Sequence, residues 1–352
     1  MSLHVMEEAN RCLQCKKPRW QQGCPIHTNI PEVIRLLKDG KLNDAGWMLF
    51  ENNPLTTVCS LVCDHEKQCE GHCVRGIKDT PVHFSVIENY ISTTFANQMV
   101  AGPAPSNGRK VAIIGAGPAG LTIAIILARY GYSVTIYDSR DKIGGVMRYG
   151  IPDFRLPDSV LDDIAYRHLE LKGIRFRPNT HIGSAITIDD LFRDGVQSVF
   201  VGAGLWKPRQ LHIKGESLGH VTFAINYLES PEAFRLGEHV MIIGSGNSAM
   251  DCARTAVRQG ARYVTVVNRR DVIAASQYES SYAKLEGVSF MMLKYPLEIR
   301  EDGIVLADSE ITAEGKAKPI PGTEKLYPCT GVIIAASQEL ESNLVTTTKG
   351  ID

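Results

Sequence analysis

Twice in this chain a short apolar strand runs into a glycine-rich turn and then a helix. The first instance is KVAIIGAGPAGLTIAIILARYGYSVTIYDSR, starting at Lys110. An apolar β run, Val111 to Ile114, enters Gly115, Gly117 and Gly120, with Pro118 and Ala119 between the last two, and a helix follows to Arg129. A second strand, Ser133 to Tyr137, ends at Asp138. This is the βαβ setting that a dinucleotide fingerprint requires. Gly115 permits the tight turn, Gly117 lets backbone approach a pyrophosphate, and Gly120 lets helix and strand pack closely. Asp138 stands where a carboxylate accepts hydrogen bonds from a ribose. The plain alternative is a glycine-rich turn in an α/β domain that binds nothing.

The second instance is HVMIIGSGNSAMDCARTAVRQGARYVTVVNRRD. Gly244 and Gly246 match the first two glycines, followed by Asn247 and Ser248, and Ala249 replaces the third glycine. Its second strand ends in Val267 and Asn268, with Arg269 and Arg270 immediately after. The ribose-binding acid is absent and two guanidiniums take its place. Arginine pairs bidentately with phosphate, which favours a 2′-phosphorylated nicotinamide cofactor. The alternative is ordinary solvated charge.

Cysteine supplies the second constraint. Seven of the nine fall between residues 12 and 73, spaced C-x2-C-x8-C-P and then C-x3-C-x5-C-x3-C. The N-terminus, MSLHVMEEANRC, is acidic and lacks the basic-then-apolar layout of a signal peptide, so reduced cytosolic thiols are expected rather than a disulfide framework. Dense cysteine in that setting points to a metal centre. A Cys-Pro step matches bacterial iron–sulfur runs, in which the last thiolate serves a different cluster. Structural zinc wants two C-x2-C pairs, and only Cys12/Cys15 has that form. Iron–sulfur, zinc and plain buried thiols remain the three options.

Around the cysteines the pattern is helical. Asn29 before Pro31, followed by Val33, Ile34, Leu36 and Leu37, reads as a capped helix. Further helices are expected from Lys41 to Phe50 and from Phe84 to Ala96, and the stretch AGPAPSNGR (101–109) reads as a linker. The segment LEIREDGIVLADSEI (297–311) suggests a β-hairpin centred on its Asp-Gly.

The remaining totals set limits. With 352 residues, the chain has room for two or three domains. Its 38 Lys+Arg against 39 Asp+Glu argue against a dedicated nucleic-acid binder. No stretch approaches eighteen uninterrupted apolar residues, so no membrane span is expected and a cytoplasmic location is. Two nucleotide folds in one chain make sense if one takes a flavin and the other a nicotinamide, because hydride then passes between two planar rings with few protein acids or bases. No hydrolytic triad, P-loop or zinc-protease motif is present, and no catalytic side chain is assigned.

With these residues in hand, the chain resembles the small subunit of NADPH-dependent glutamate synthase. Relatives include the electron-input half of dihydropyrimidine dehydrogenase and the large subunit of ferredoxin:NADP oxidoreductase. The resemblance rests on the cysteine layout, GAGPAGL (115–121), GGVMRYGIPDFRLP (144–157), GAGLWKPRQLHIKGE (202–216), GSGNSAMD (244–251) and NRRD (268–271). It implies FAD on Gly115, Gly117, Gly120 and Asp138, with Gly144, Gly145 and Arg148 also in contact. It implies NADPH on Gly244, Gly246, Asn247, Ser248, Arg269 and Arg270. It also implies one four-iron cluster on Cys12, Cys15 and Cys73 and another on Cys24, Cys63, Cys69 and Glu88, with Cys59 a neighbour.

Three departures from the family pattern stand out. Trp20 occupies the place of a cysteine ligand, which leaves the first site a three-iron centre, an exogenous ligand or no cluster. The usual Cys-Pro reads Cys63-Asp64. Family members continue past the position of Asp352 with a segment bearing a Gly-Asp pair, so the flavin domain is expected to be incomplete at its C-terminus.

The expected fold is α/β: a helical iron–sulfur domain (1–100), an FAD domain (109–205 and 329–352) and an NADPH domain (206–328) inserted within it. Both nucleotide domains would be doubly wound and Rossmann-like. The expected function is electron input, from NADPH through FAD and iron–sulfur clusters to an electron-accepting large subunit or a ferredoxin-like protein. The rival is a non-catalytic nucleotide-binding or assembly module.

Overall fold

The computed structural model describes residues 2–96, 104–170, 173–341 and 343–348, and the chain divides into two compact units. The first unit opens with helices α1 Ser2–Asn10, α2 Arg19–Gly23, α3 Ile30–Lys38, α4 Leu42–Asn52, α5 Thr56–Val62 and α6 Phe84–Phe95. Helix α3 starts as its sequence directs, with Asn29 at the cap and Pro31 in the first turn, and it turns Ile30, Val33, Ile34, Leu36 and Leu37 inward. These side chains form one apolar cluster with Trp20, Ile87 and Ile91, in which Cys12, Cys69 and Cys73 are also packed. The cysteines therefore sit on the wall of a helical core. Part of the expected linker, residues 101–103, lies outside the described residues.

The same unit continues into strand β1 Lys110–Ile114, helix α7 Pro118–Arg129, strand β2 Ser133–Tyr137, helices α8 Val146–Tyr149 and α9 Asp158–Ile164, strand β3 Arg175–Arg177, helix α10 Ile188–Arg193 and strand β4 Ser198–Val201. The strands form a parallel sheet in the order β3-β2-β1-β4. That order reverses between β1 and β4, which makes a topological switch point at the carboxyl end of β1. Helix α4 is joined to this fold through Phe50, whose ring stacks on His168 at 5.4 Å beneath the Arg129 guanidinium at 5.3 Å.

The second unit holds β5 Lys207–Pro208, β6 Val221–Phe223, helix α11 Ala224–Glu229, β7 His239–Ile243, helix α12 Asn247–Arg258, β8 Tyr263–Val267, helix α13 Gln277–Leu285, β9 Ser289–Met291, β10 Lys294–Arg300, β11 Gly303–Ile311, β12 Ala317–Pro319, β13 Lys325–Pro328, β14 Gly331–Ile334 and β15 Gln338–Glu339. The parallel sheet runs β6-β14-β7-β8-β9, again with a switch point beside its glycine turn, Gly244–Gly246, between β7 and β14. The hairpin expected from LEIREDGIVLADSEI is β10–β11, with its turn at Glu301–Asp302 and a register shift between Pro296 and Glu298.

One expected boundary changes. The first nucleotide fold was expected to resume at about residue 329, yet β14 pairs with β7 and β6 of the second sheet. The reason is burial. Val332, Ile333 and Ile334 are all enclosed, and a four-residue apolar strand of this kind needs a parallel partner on each side. The chain returns to the first unit only after Glu341, where Leu344 packs against Ala112, Ile114, Ile182, Ile188 and Leu191.

Candidate functional site

At the end of β1 the chain turns sharply, with Gly115 N–H donating to the Tyr137 carbonyl at 2.8 Å. Asp138, one residue beyond β2, accepts the Ala116 backbone N–H at 2.6 Å on one carboxylate oxygen and the Arg140 N–H at 2.8 Å on the other. Gly117 caps α7 and Pro118 opens it, so the free N–H groups of that helix face the turn, as an anion-binding site requires. Gly120 has no alternative: a Cβ there would lie 1.9 Å from the Gly115 carbonyl oxygen. The Gly144–Gly145 segment lies over this turn, with Gly144 N–H bonded to the Ala116 carbonyl at 2.9 Å.

Arg148 behaves differently from its neighbours. Its guanidinium is almost fully buried between Asp158, at 3.1 Å, and Asp162, at 2.5 Å, and its Nε donates to the Ile143 carbonyl at 2.8 Å. The structure thus uses Arg148 to pin the loop that carries Gly144 and Gly145 onto α9.

The second site repeats the first with other chemistry. Gly244 N–H donates to the Val267 carbonyl at 2.9 Å, and Gly246 caps α12. Asn247 Oδ1 accepts the Ser276 N–H at 3.0 Å and Ser245 Oγ the Ala274 N–H at 3.3 Å, which draws the loop after β8 toward the turn. Ser248 lines a cleft of about 420 Å³ with Gly246, Asn247 and residues 334–338. A second cleft of about 610 Å³ is lined by Gly244, Asn268, Arg269, Arg270, Arg209 and Tyr295, among others. Asn268 replaces the acid and donates to the Val272 carbonyl at 2.8 Å, while Arg270 reaches the Gly315 carbonyl at 3.3 Å. Both arginines are exposed at the mouth of the sheet, as a phosphate site needs.

The cysteines fall into two groups. Burial raises the Cys12 thiol, and the neighbouring Cys15 and Cys73 thiols raise it further. Cys59, Cys63 and Cys69 form the other group with Cys24 and Glu88. Burial, then Glu88, pushes Cys59 up to about 12 and Cys63 up to about 11. Burial also raises Cys69 strongly, with Glu70 and Glu88 adding to it. Glu88 is fully enclosed and is raised to about 7 by burial, although its carboxylate accepts Thr56 Oγ1–H at 2.7 Å. Cys59, which the family resemblance sets aside, is part of this group, with Asn53 Nδ2–H donating to its sulfur at 3.0 Å.

Whether the residues fit a cluster differs between the groups. In the second, Cys24, Cys63, Cys69 and Glu88 lie near enough to act on one another electrostatically, and burial raises the Cys63 and Cys69 thiols and the Glu88 carboxyl. Three thiols and a carboxyl are the donor chemistry of a thiolate-held iron centre. The first does not fit. Trp20 shares its cavity with Cys12, Cys15 and Cys73, and only about 10 Å³ remains. Among the described residues no three such side chains stand close enough to share a single metal ion, as tetrahedral zinc requires.

Comparison with known proteins places this arrangement. Residues 1–100 match the family described as dihydropyrimidine dehydrogenase domain II, 4Fe-4S cluster, and residues 109–351 match pyridine nucleotide-disulphide oxidoreductase. The class is therefore a nicotinamide-dependent oxidoreductase with an iron–sulfur domain at its N-terminus. The glutamate synthase [NADPH] small chain of Escherichia coli is 33% identical over 93% of this chain and 75% of its own length. The NADPH-Fe(3+) oxidoreductase subunit beta of Geobacter sulfurreducens is 31% identical, and the chain spans 52% of it. FprA of Mycobacterium tuberculosis, solved in complex with NADPH, has the same fold, with a TM-score of 0.57 over 67% of this chain and 71% of that one at 18% identity. The chain belongs to the glutamate synthase small-chain family of NADPH-dependent flavin and iron–sulfur oxidoreductases.

Among the described residues no helix is long and apolar enough to cross a membrane.

Proposed function

We propose that this chain is the electron-input subunit of a larger assembly, oxidising NADPH and delivering electrons to a partner. The observation that carries this reading is the pair of glycine turns, each at a switch point. An acid, Asp138, follows one, and Arg269 and Arg270 follow the other. When bound, FAD takes up the hydride of NADPH as an electron pair, and an iron–sulfur cluster carries electrons singly.

The chain's residues divide the labour. The N-terminus of α7, with Gly115, Gly117 and Gly120, holds the FAD pyrophosphate, and Asp138 keeps the turn in shape and meets the ribose. The N-terminus of α12, with Gly244, Gly246, Asn247 and Ser248, holds the NADPH pyrophosphate. Arg269 and Arg270 bind the 2′-phosphate. Cys24, Cys63, Cys69 and Glu88 hold a four-iron cluster within the helical core. The partner is a large subunit of the glutamate synthase kind, or another electron acceptor such as a ferredoxin-like protein. The near-neutral charge of the chain supports a cytoplasmic complex with neither nucleic acid nor membrane as partner.

A second reading, a nucleotide-binding module that passes no electrons, is favoured by Trp20 alone. The absorption spectrum of anaerobically purified protein separates the two. Flavin bands over a broad iron–sulfur background, bleached by NADPH, support electron input. A colourless protein that still binds NADPH overturns it.

A further inference from the structure

We infer that this chain carries one iron–sulfur cluster where its cysteine layout suggests two, because Trp20 closes the Cys12/Cys15/Cys73 position. The inference rests on the iron–sulfur reading of the helical domain, and the test below separates the two.

Trp20 is more than a missing ligand. It lies in α2 with 4% of its surface exposed, and its ring meets Phe84 edge-on at 6.3 Å. Through it α2 joins the same apolar cluster as Val82, Phe84 and Ile87, the cluster that also encloses Cys12, Cys69 and Cys73. A cysteine at this place would present one thiol on a short stem. An indole is a large rigid body that excludes whatever competes for the volume. The space left among Cys12, Cys15, Arg19, Trp20, Cys73, Arg75 and Val82 is about 10 Å³. That is room for about one water molecule. A cube of four irons and four sulfides does not enter without expelling the indole from the core.

The Cys12 thiol also has a local partner. Gln14 Nε2–H donates to the Cys12 sulfur at 3.5 Å, from a residue whose φ is +50°. Cys12 and Cys73 are each 8% exposed and behave as small core residues. At the other position no indole intervenes, and Cys24, Cys63, Cys69 and Glu88 lie near enough to act on one another electrostatically. One cluster near the interior of the helical core, rather than two in series, therefore carries electrons out of this subunit.

Iron and acid-labile sulfide are measured per chain on anaerobically purified, iron–sulfide-reconstituted full-length protein. The expected result is about four irons per chain, unchanged in Cys12→Ser and Cys15→Ser and lost in Cys24→Ser and Cys63→Ser. Trp20→Cys is expected to raise the content toward about eight. About eight irons in the unsubstituted chain overturn the inference and leave the iron–sulfur reading intact. About seven, with the electron paramagnetic resonance signal of an oxidised three-iron centre that Cys12→Ser abolishes, also overturn it. Iron lost equally from Cys12→Ser and Cys24→Ser does the same. A reconstituted chain with no iron overturns the iron–sulfur reading itself. Should Trp20→Cys fail to fold, the comparison of Cys12→Ser with Cys24→Ser decides alone.

Discussion

The carboxylate of Asp138 accepts the backbone N–H of Ala116 at 2.6 Å, tying the end of β2 to the glycine turn that follows β1. The same side chain caps Arg140 N–H at 2.8 Å, so one residue holds both lips of the site. A charged acceptor of this kind is worth about 1–3 kcal/mol when its donors are enclosed. Asp138→Ala is therefore expected to weaken FAD binding by a factor of about 10–100. Asp138→Asn keeps an acceptor for Ala116 and should fall between Ala and the unsubstituted protein. Flavin fluorescence quenching during titration reads this directly. Equal affinities for all three would show that the turn is held by other means.

Gly145 is the tightest point of the segment that lies over the same turn. A Cβ there would lie 2.7 Å from the Cα of Gly117, and its φ of +53° is already unfavourable for any other residue. That contact and the next, to the Gly117 N at 3.3 Å, are both backbone, so a rotamer change cannot relieve the clash. Gly145→Ala is expected to abolish flavin retention through gel filtration while the far-ultraviolet dichroism stays near that of the unsubstituted chain. Gly219→Ala, where a Cβ meets nothing within 4 Å, serves as the neutral control. If Gly145→Ala retains flavin as well as Gly219→Ala does, the loop is not part of the site.

Much of this was legible in the sequence, and the exceptions have a common cause. Helix α3 and strand β2 follow from local pattern, since their apolar positions, cap and turn residues lie within a few residues of one another. Strand β14 did not, because its partner β7 lies some ninety residues earlier and nothing local records the pairing. The geometry shows what a closer reading could have used. A Cβ on Gly115 would strike the Gly202 carbonyl at 2.2 Å, and one on Gly244 would strike the Ala335 carbonyl at 2.3 Å. Gly202 follows β4 and Ala335 follows β14, so SVFVG and GVIIA are equivalent strands of the two folds. Only the glycine that would have marked the second is missing. The division of the thiols into two groups is likewise set by how α2, α5 and α6 pack. The burial of Trp20, unlike its identity, is a tertiary fact.

Discrimination between the two nicotinamide cofactors should reside at the end of β8. Asn268 stands where an acid would repel a 2′-phosphate, and Arg269 and Arg270 open onto the cleft of about 610 Å³. Arg270 is partly engaged by the Gly315 carbonyl at 3.3 Å, which leaves Arg269 the larger share of the phosphate. Arg269→Ala is expected to raise the dissociation constant for NADPH by a factor of about 10 or more, and Arg270→Ala by less. NADH affinity should stay within about threefold in both, since it lacks the phosphate. Calorimetric titration of both nucleotides checks this. A parallel loss for NADPH and NADH would assign these arginines to the pyrophosphate or to folding instead.

Acid stability of the helical segment turns on Glu8. Burial acts to raise its carboxyl, but hydrogen bonds from Arg11 Nη1 at 2.7 Å and from the His83 backbone N–H at 2.6 Å, with the positive charge of Arg11, hold it below the usual range. A carboxyl whose pKa falls on folding stabilises the fold above its unfolded value, and that contribution is lost as pH drops through the folded one. Glu8→Gln removes the charge but keeps the shape, so at neutral pH it is expected to lower stability by about 1–2 kcal/mol. As pH falls through the lowered folded value, below where a free glutamate titrates, the native carboxyl becomes protonated and the two proteins should converge. Urea unfolding followed by helical dichroism at neutral and acid pH measures the gap. A gap that persists undiminished in acid would mean that Gln fails here through packing, because no lost charge can account for a difference between two neutral side chains.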